Sequence, residues 1–482
     1  MAASNRLKNQ HLLWRAGFGP MAENAADLDS ISQKDLWALL VKTSAKKPER
    51  IEVAQNLLEG LYKGVQDVSQ MQKQQLSADQ RKEMRIQSRD DLKNLNIRFL
   101  EEMINSEAQL REKMSLFWHG HFACRVINSY FQQELLQIIR ENALGNFKEL
   151  LMAVSKSPSM IQFLNNQQNR KQHPNENFAR EVMELFTMGR GNYTEHDVKE
   201  SARAFTGWAF DLKGEFIFRR FQHDDGSKTV LGKTGNFDGE DIIDLLLEQK
   251  QTAKFITKKI YKYFVNDNVE DAKVQLLADG FYKSGYDIKK LMESIFTADW
   301  FYDEKNIGTK IKSPVELIAG IRRLLPMEME NDQAQLLFQR TLGQILFYPP
   351  NVAGWPGGKN WIDSSSLMLR LRIPQILSAN EIMDIMPKTD DDVQMGMMEA
   401  GAKKLKEAVK GGTAKIDWVL VNKVFEKVPR EKLLDNITST VLQTKEHVAD
   451  ALLEKYVNNE SRENFIKSAI VNLMSTPEYQ LC

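Results

Sequence analysis

Residues Gln109 to Phe122 read QLREKMSLFWHGHF, and their spacing decides the class of the fold. Leu110, Met114, Phe117 and His121 recur at intervals of four, three and four. That spacing builds one face of a helix, whereas a strand repeats every second residue. The same periodicity marks Leu36, Leu39 and Leu40 and dominates the chain, so the expected class is mainly α and multi-helical. Two stretches break the pattern. Between Trp208 and Asp238, short β-rich runs alternate with Gly and Asp turn signals, which predicts a small β-hairpin excursion around 208–236. From Tyr348 to Trp361 the chain reads YPPNVAGWPGGKNW, whose prolines and glycines exclude a regular helix. Its two tryptophans favour order, so an ordered loop is expected around 348–361.

The bulk composition narrows the function classes. Lys plus Arg number 65 and so do Asp plus Glu, which leaves no net field to attract nucleic acid or an anionic membrane. Two distant cysteines, Cys124 and Cys482, give neither a disulfide framework nor a thiolate metal site. The N-terminal residues lack a signal-peptide core, and no apolar run is long enough for a transmembrane helix. The chain as printed is therefore expected in the cytoplasm, with export only where a leader has been removed. At about 100 to 200 residues per domain, three regions are expected. Residues 1–106 form an N-terminal helical region, with a polar stretch from Lys47 to Arg98 read as helix with a loose middle. Residues 107–372 form a central helical domain that carries the motifs, and 373–482 a C-terminal helical lobe after the break MPKTDDD.

Five constellations carry chemistry. In FWHGHF, His119 and His121 meet one ligand only if the helix ends at Gly120; in a continuous helix they diverge by about 200°. In NENFAREVMELF, Asn175 is the expected N-cap, Glu181 and Glu184 share one side at i, i+3, and Arg180 stands four residues from both Glu176 and Glu184. Those carboxylates either share a cation or form an ion-pair network. In YTEHDVKESARAFTGW, Thr194 and Asp197 form a capping-box start. Arg203, near Trp208, is left to clamp an anionic group or to cap a carboxylate of the preceding motif. In HDDGSKTVLGKT, His223 and Asp224 form an acid-base or ligand pair, or else a polar turn that includes Lys228. Its phosphate-loop likeness fails, because five residues separate Gly226 from Gly232 where four are required, and no nucleotide is expected. In NVAGWPGGKNW, Trp355 and Trp361 offer aromatic faces for a sugar ring or another flat ligand, or else plug the fold.

In this order and spacing the motifs resemble those of a bacterial family called domain of unknown function 1800. The matching pieces are HLLWRAGFGP from His11, FWHGHF from Phe117, ALGNF from Ala143, NENFAREVMELFTMG from Asn175, YTEHDVKESARAFTGW from Tyr193, HDDGSKTVLG from His223, KSPVELI from Lys312 and PPNVAGWPGG from Pro349. The resemblance spans nearly the whole chain. It implies a large, mainly helical protein, often one carrying an export signal, and it implies no established activity.

The leading expectation is an enzyme with a His/Glu pocket. His119, His121, Glu181 and Glu184 hold a divalent transition metal, zinc, iron or manganese, and Glu181, Glu184, His223 and Asp224 carry the catalysis. Arg180, Arg203, Trp208, Lys228, Trp355 and Trp361 contact the substrate. Hydrolysis is preferred to oxidation as the broader default. Two alternatives stand beside it. One is a non-catalytic protein that binds a carbohydrate or peptide through the Trp355 loop, and the other places every motif in lobe-lobe packing. The sequence contains no HExxH, GxSxG, Rossmann or kinase pattern.

Overall fold

A computed structural model describes residues 3–25, 27–55, 77–379, 414–444 and 450–482. The MPKTDDD break and the middle of the polar stretch expected to be loose lie outside the described residues. The fold is mainly α, as the periodicity predicts. Local signals start the helices. Ser4 caps α1 (Asn5–Ala16), Ser32 caps α2 (Gln33–Ser44), and a Ser77/Gln80 capping box starts α3 (Ala78–Asn105). Then follow α4 (Gln109–His121) and α5 (Ser129–Asn142), the latter capped by Asn128. A short α6 (Asn177–Glu181) leads into a π-helical turn over Val182–Thr187. The Thr194/Asp197 box starts α7 (Glu195–Ala204) as expected.

The excursion after Trp208 is two hairpins rather than one. β1 (Trp208–Phe210) pairs antiparallel with β2 (Phe216–Phe218), and β3 (Lys228–Val230) with β4 (Lys233–Gly235). Beyond them lie α8 (Lys250–Phe264), α9 (Pro314–Leu324), α10 (Gln333–Thr341), α11 (Ser364–Ala379) and α12 (Arg462–Met474). A third small sheet joins β5 (Met327–Met329) to β6 (Ala414–Ile416).

Among the described residues the buried apolar side chains sort into two cores. Leu12 and Ala16 of α1 and Met114, Phe117 and Trp118 of α4 belong to the first, with α5, α8 and most of the chain between Phe147 and Phe301. Trp14 of α1 and Leu116 of α4 belong to the second, with α3, α9, α10, α11 and α12. Helices α1 and α4 thus present opposite faces to different cores, and their remaining faces line the seam between the two. Close packing at the seam selects glycine at 320, because a Cβ there would collide with the Trp14 ring. Among the described residues no helix is long and apolar enough to cross a membrane.

Candidate functional site

The two histidines of FWHGHF separate. Helix α4 runs through Gly120 to His121, and the Phe122 N–H still reaches the Trp118 carbonyl at 2.8 Å. Of the two alternatives the helix therefore takes the continuous one, and the rings diverge as helical geometry requires. His119, 3% exposed, accepts the Phe347 N–H on Nε2 at 3.1 Å and lies against Phe347 and Trp355. Burial pushes its pKa down to about 4. His121 is enclosed by Phe117, Trp118, Phe122 and Phe186, and its Nε2–H donates to the Phe186 carbonyl at 3.3 Å. Its Nδ1 is buried with no hydrogen-bond partner among the described residues. Burial first, and Lys259 second, hold this imidazole well below its ordinary range.

The carboxylates of the second motif straddle a change of helical pitch. Glu181 ends α6, whereas Glu184 lies on the π-helical turn, so the regular i, i+3 geometry expected for them is lost. Glu184 accepts the Tyr193 hydroxyl at 2.6 Å. Burial, reinforced by Glu184, raises the pKa of Glu181. Arg180 pairs with Glu176 as expected at 3.0 Å, but its other partner is Glu195 at 2.7 and 2.8 Å rather than Glu184. Asn175 lies just outside the helix and accepts the Asn177 N–H. Among the described residues no three His, Cys, Asp or Glu side chains come together as a metal-binding group. His119, His121, Glu181 and Glu184 therefore do not assemble into one centre in this structure.

The third and fourth motifs knit the hairpins onto α7. Arg203 grips Asp224 through Nε at 2.7 Å and Nη2 at 3.1 Å, while its Nη1 takes both oxygens of Glu200. Its partners are thus Asp224 and Glu200, not a carboxylate of the second motif. The Arg203 hydrogen bonds hold Asp224 below its ordinary range. His223 is buried, with Nδ1 3.0 Å from the Thr206 carbonyl. Buried Lys228 closes the turn on the carbonyls of Asp224 and Gly226. Trp208, 2% exposed, packs against Phe178, Phe205 and Phe216. Arg203, Asp224 and Lys228 in this cluster are each engaged in hydrogen bonds that hold the hairpin turns on α7.

The Trp355 loop is placed differently. The backbone at Gly354, with φ +84°, lies so close over the end of α4 that a Cβ would stand 2.5 Å from the Gly120 carbonyl oxygen. Gly358 approaches the Asp267 carboxylate, just beyond α8. The loop therefore spans the ends of α4 and α8. Trp361 is buried, whereas Trp355 keeps a partly exposed face 5.5 Å from the His119 ring. Nothing lies within 4 Å of the place where Gly120 would carry a Cβ.

Deep in the seam lies a group that the motif reading missed. Glu316, 1% exposed, accepts Lys113 Nζ at 2.5 Å and stands 3.4 Å from Lys310 Nζ. Its other oxygen completes a capping box with Ser313 at the start of α9. Burial raises this carboxyl, but the two ammonium groups outweigh burial and hold it well below the ordinary range. Lys310 also lies 3.9 Å over the Tyr263 ring. Lys312 sits 3.7 Å from both the Trp14 and Tyr479 rings, and burial drops it to about 7. Arg15 holds the carbonyls of Asn306 and Cys482, and Arg370 holds that of Lys312. The SxxE spacing of Ser313 and Glu316 is a sequence signal for the helix start. No local signal ties Glu316 to Lys113 or Arg15.

The family described as protein of unknown function (DUF1800) matches residues 11–481 of this chain. No curated protein matches it. No solved structure matches it either.

Proposed function

The chain belongs to the DUF1800 family, whose function is not known, and from that premise we propose that it is a ligand-binding protein with the Trp355 loop at the mouth of its site. The observation that carries this reading is the partly exposed Trp355 ring, backed by His119 and set beside the open helix surface at Gly120. A flat, rigid indole next to exposed Asn351 and Asn360 suits the apolar face of a sugar ring together with its hydroxyls. The ligand class proposed is a carbohydrate. The test is retention on a panel of immobilised glycans and peptides, comparing the native protein with Trp355→Ala and Trp355→Phe. A loss of about tenfold in Trp355→Ala, with partial recovery in Trp355→Phe, is expected from the size of an aromatic stacking contact. Undiminished glycan retention by Trp355→Ala, or retention of peptides alone, rejects the reading.

A second reading, metal-dependent hydrolysis with zinc, iron or manganese, is favoured by one observation. The Nδ1 of His121 is buried without a partner beside the helix that carries Glu181 and Glu184. It requires those carboxylates to move toward the imidazole. One equivalent of metal in the purified protein, lost in His121→Ala, is the expected result, and a folded protein purified without metal yet hydrolytically active counts against it.

A further inference from the structure

Among the described residues, two buried charge networks differ in how far their charges are matched. In the first, Arg140 uses every guanidinium nitrogen: Nε and Nη2 on Glu112, Nη2 also on Glu102, and Nη1 on the Glu49 carbonyl. Two carboxylates face Arg140 and Arg111, so the charges balance and the network closes on itself. The second network, around Glu316, does not close. Five cationic side chains, Arg15, Lys113, Lys310, Lys312 and Arg370, lie in the seam within electrostatic reach of Glu316, and Cys482 acts on Arg15, Lys310 and Lys312 as a second negative group, so the cations still outnumber the anions. Asp267 acts on Arg15 from an exposed position at the rim, next to the Trp355 loop. Uncompensated charge in an apolar interior is costly unless it finds a counter-charge.

The hydrogen-bonding pattern has the same asymmetry. Arg370 is 0% exposed, and its Nε and Nη2 have no partner among the described residues. These two nitrogens form the edge by which Arg203 grips the Asp224 carboxylate elsewhere in this protein. That edge is shaped for two parallel bonds to an oxyanion. On Arg15, Nε and Nη1 are likewise buried and without partners, while Nη2 is anchored on two carbonyls that fix the guanidinium.

We propose that the seam around Glu316 is a binding site for a tetrahedral oxyanion, phosphate or sulfate, held by the free edge of Arg370 and by Arg15, with Lys310 and Lys312 as counter-charges. The proposal is independent of the Trp355 reading, since neither Trp355 nor a sugar enters it. The anion is either free or the charged end of a larger ligand.

The test uses the full chain at constant ionic strength. Inorganic phosphate, sulfate and glycerol phosphate are titrated by calorimetry, with chloride as the control. Saturable binding at one site per chain is expected for phosphate and sulfate and not for chloride. Arg370→Lys keeps the charge and removes the bidentate edge, and is expected to weaken binding about tenfold; Arg15→Lys serves if that variant does not fold. Tighter binding of glycerol phosphate assigns the site to an ester-bearing ligand, and binding of the inorganic anions alone assigns it to the free ion. No saturable binding of any of the three to the native protein overturns the proposal, as does native affinity in a folded Arg370→Lys or Arg15→Lys.

Discussion

Glu316→Gln removes one negative charge from the seam and changes almost nothing else. The amide keeps the shape of the side chain and can still accept the Ser313 N–H that starts α9. What it loses is the charge facing Lys113 at 2.5 Å and Lys310 at 3.4 Å. Breaking a buried ion pair by deleting one partner costs about 3–5 kcal/mol, because the surviving charge stays buried. At about 2.1 cal/mol/K of unfolding entropy per residue, a chain of 482 residues loses roughly 1 °C per kcal/mol, so a fall in Tm of about 3–5 °C is expected. Adding Lys113→Met should recover part of the loss, since it removes the stranded ammonium. The pH dependence has a definite sign. Burial raises Glu316 but Lys113 and Lys310 outweigh it, so its folded pKa is depressed, and its stabilisation is present above the ordinary glutamate pKa and lost as pH falls toward the folded value. The assays are scanning calorimetry of the single and double variants at pH 7, and acid titration by circular dichroism. A single variant within about 1 °C of native, or a strictly additive double variant, refutes the reasoning that Glu316 is the counter-charge on which the seam depends.

Gly354→Ala forces a Cβ toward the Gly120 carbonyl at a backbone angle of +84°, so the Trp355 loop should lift, with about 1–3 kcal/mol lost; an unchanged Trp emission spectrum and Tm would contradict this. Arg203→Met unties Asp224, Glu200 and the Ser227 carbonyl, and limited proteolysis should then cut between residues 208 and 235, whereas a cleavage pattern identical to native would show that the hairpins hold without it. His119 is held neutral by burial with its folded pKa depressed to about 4, so its contribution is present above about 6.5 and lost as pH falls through that window. His119→Gln should therefore flatten the stability profile between those values, and an identical profile would remove His119 as a cause. Cys124 is buried and burial raises its thiol, so it should resist alkylation until the chain unfolds; labelling at the native rate of a free thiol would contradict its placement.

The sequence by itself determined the class of the fold, the two irregular excursions and several helix starts. These rest on local chemistry: the three-and-four spacing of Leu110, Met114, Phe117 and His121, the Thr194/Asp197 box, and the Gly and Pro content of 348–361. It also carried the family resemblance, because motif order is a property of the chain. Tertiary structure alone decided where α4 ends. Gly120 is a reasonable stop signal locally, yet the helix continues through it, and it is the missing side chain of Gly354 that lets the loop approach the Gly120 carbonyl. The continuous helix sends His119 toward Trp355 and His121 toward Phe186, and separates residues only two apart in sequence. Arg180 keeps the Glu176 that spacing suggested but adds Glu195 in place of Glu184, and Arg203 takes Asp224 rather than a carboxylate of the second motif, since hairpin and helix packing set which carboxylate comes within reach. The Glu316 seam was beyond local reading for the same reason. Arg15, Lys113, Lys312 and Arg370 come from α1, α4, the turn before α9 and α11, and they meet only because two apolar cores close on either side of them. Short-range spacing encodes helices, but which charges are buried together depends on contacts between residues hundreds of positions apart.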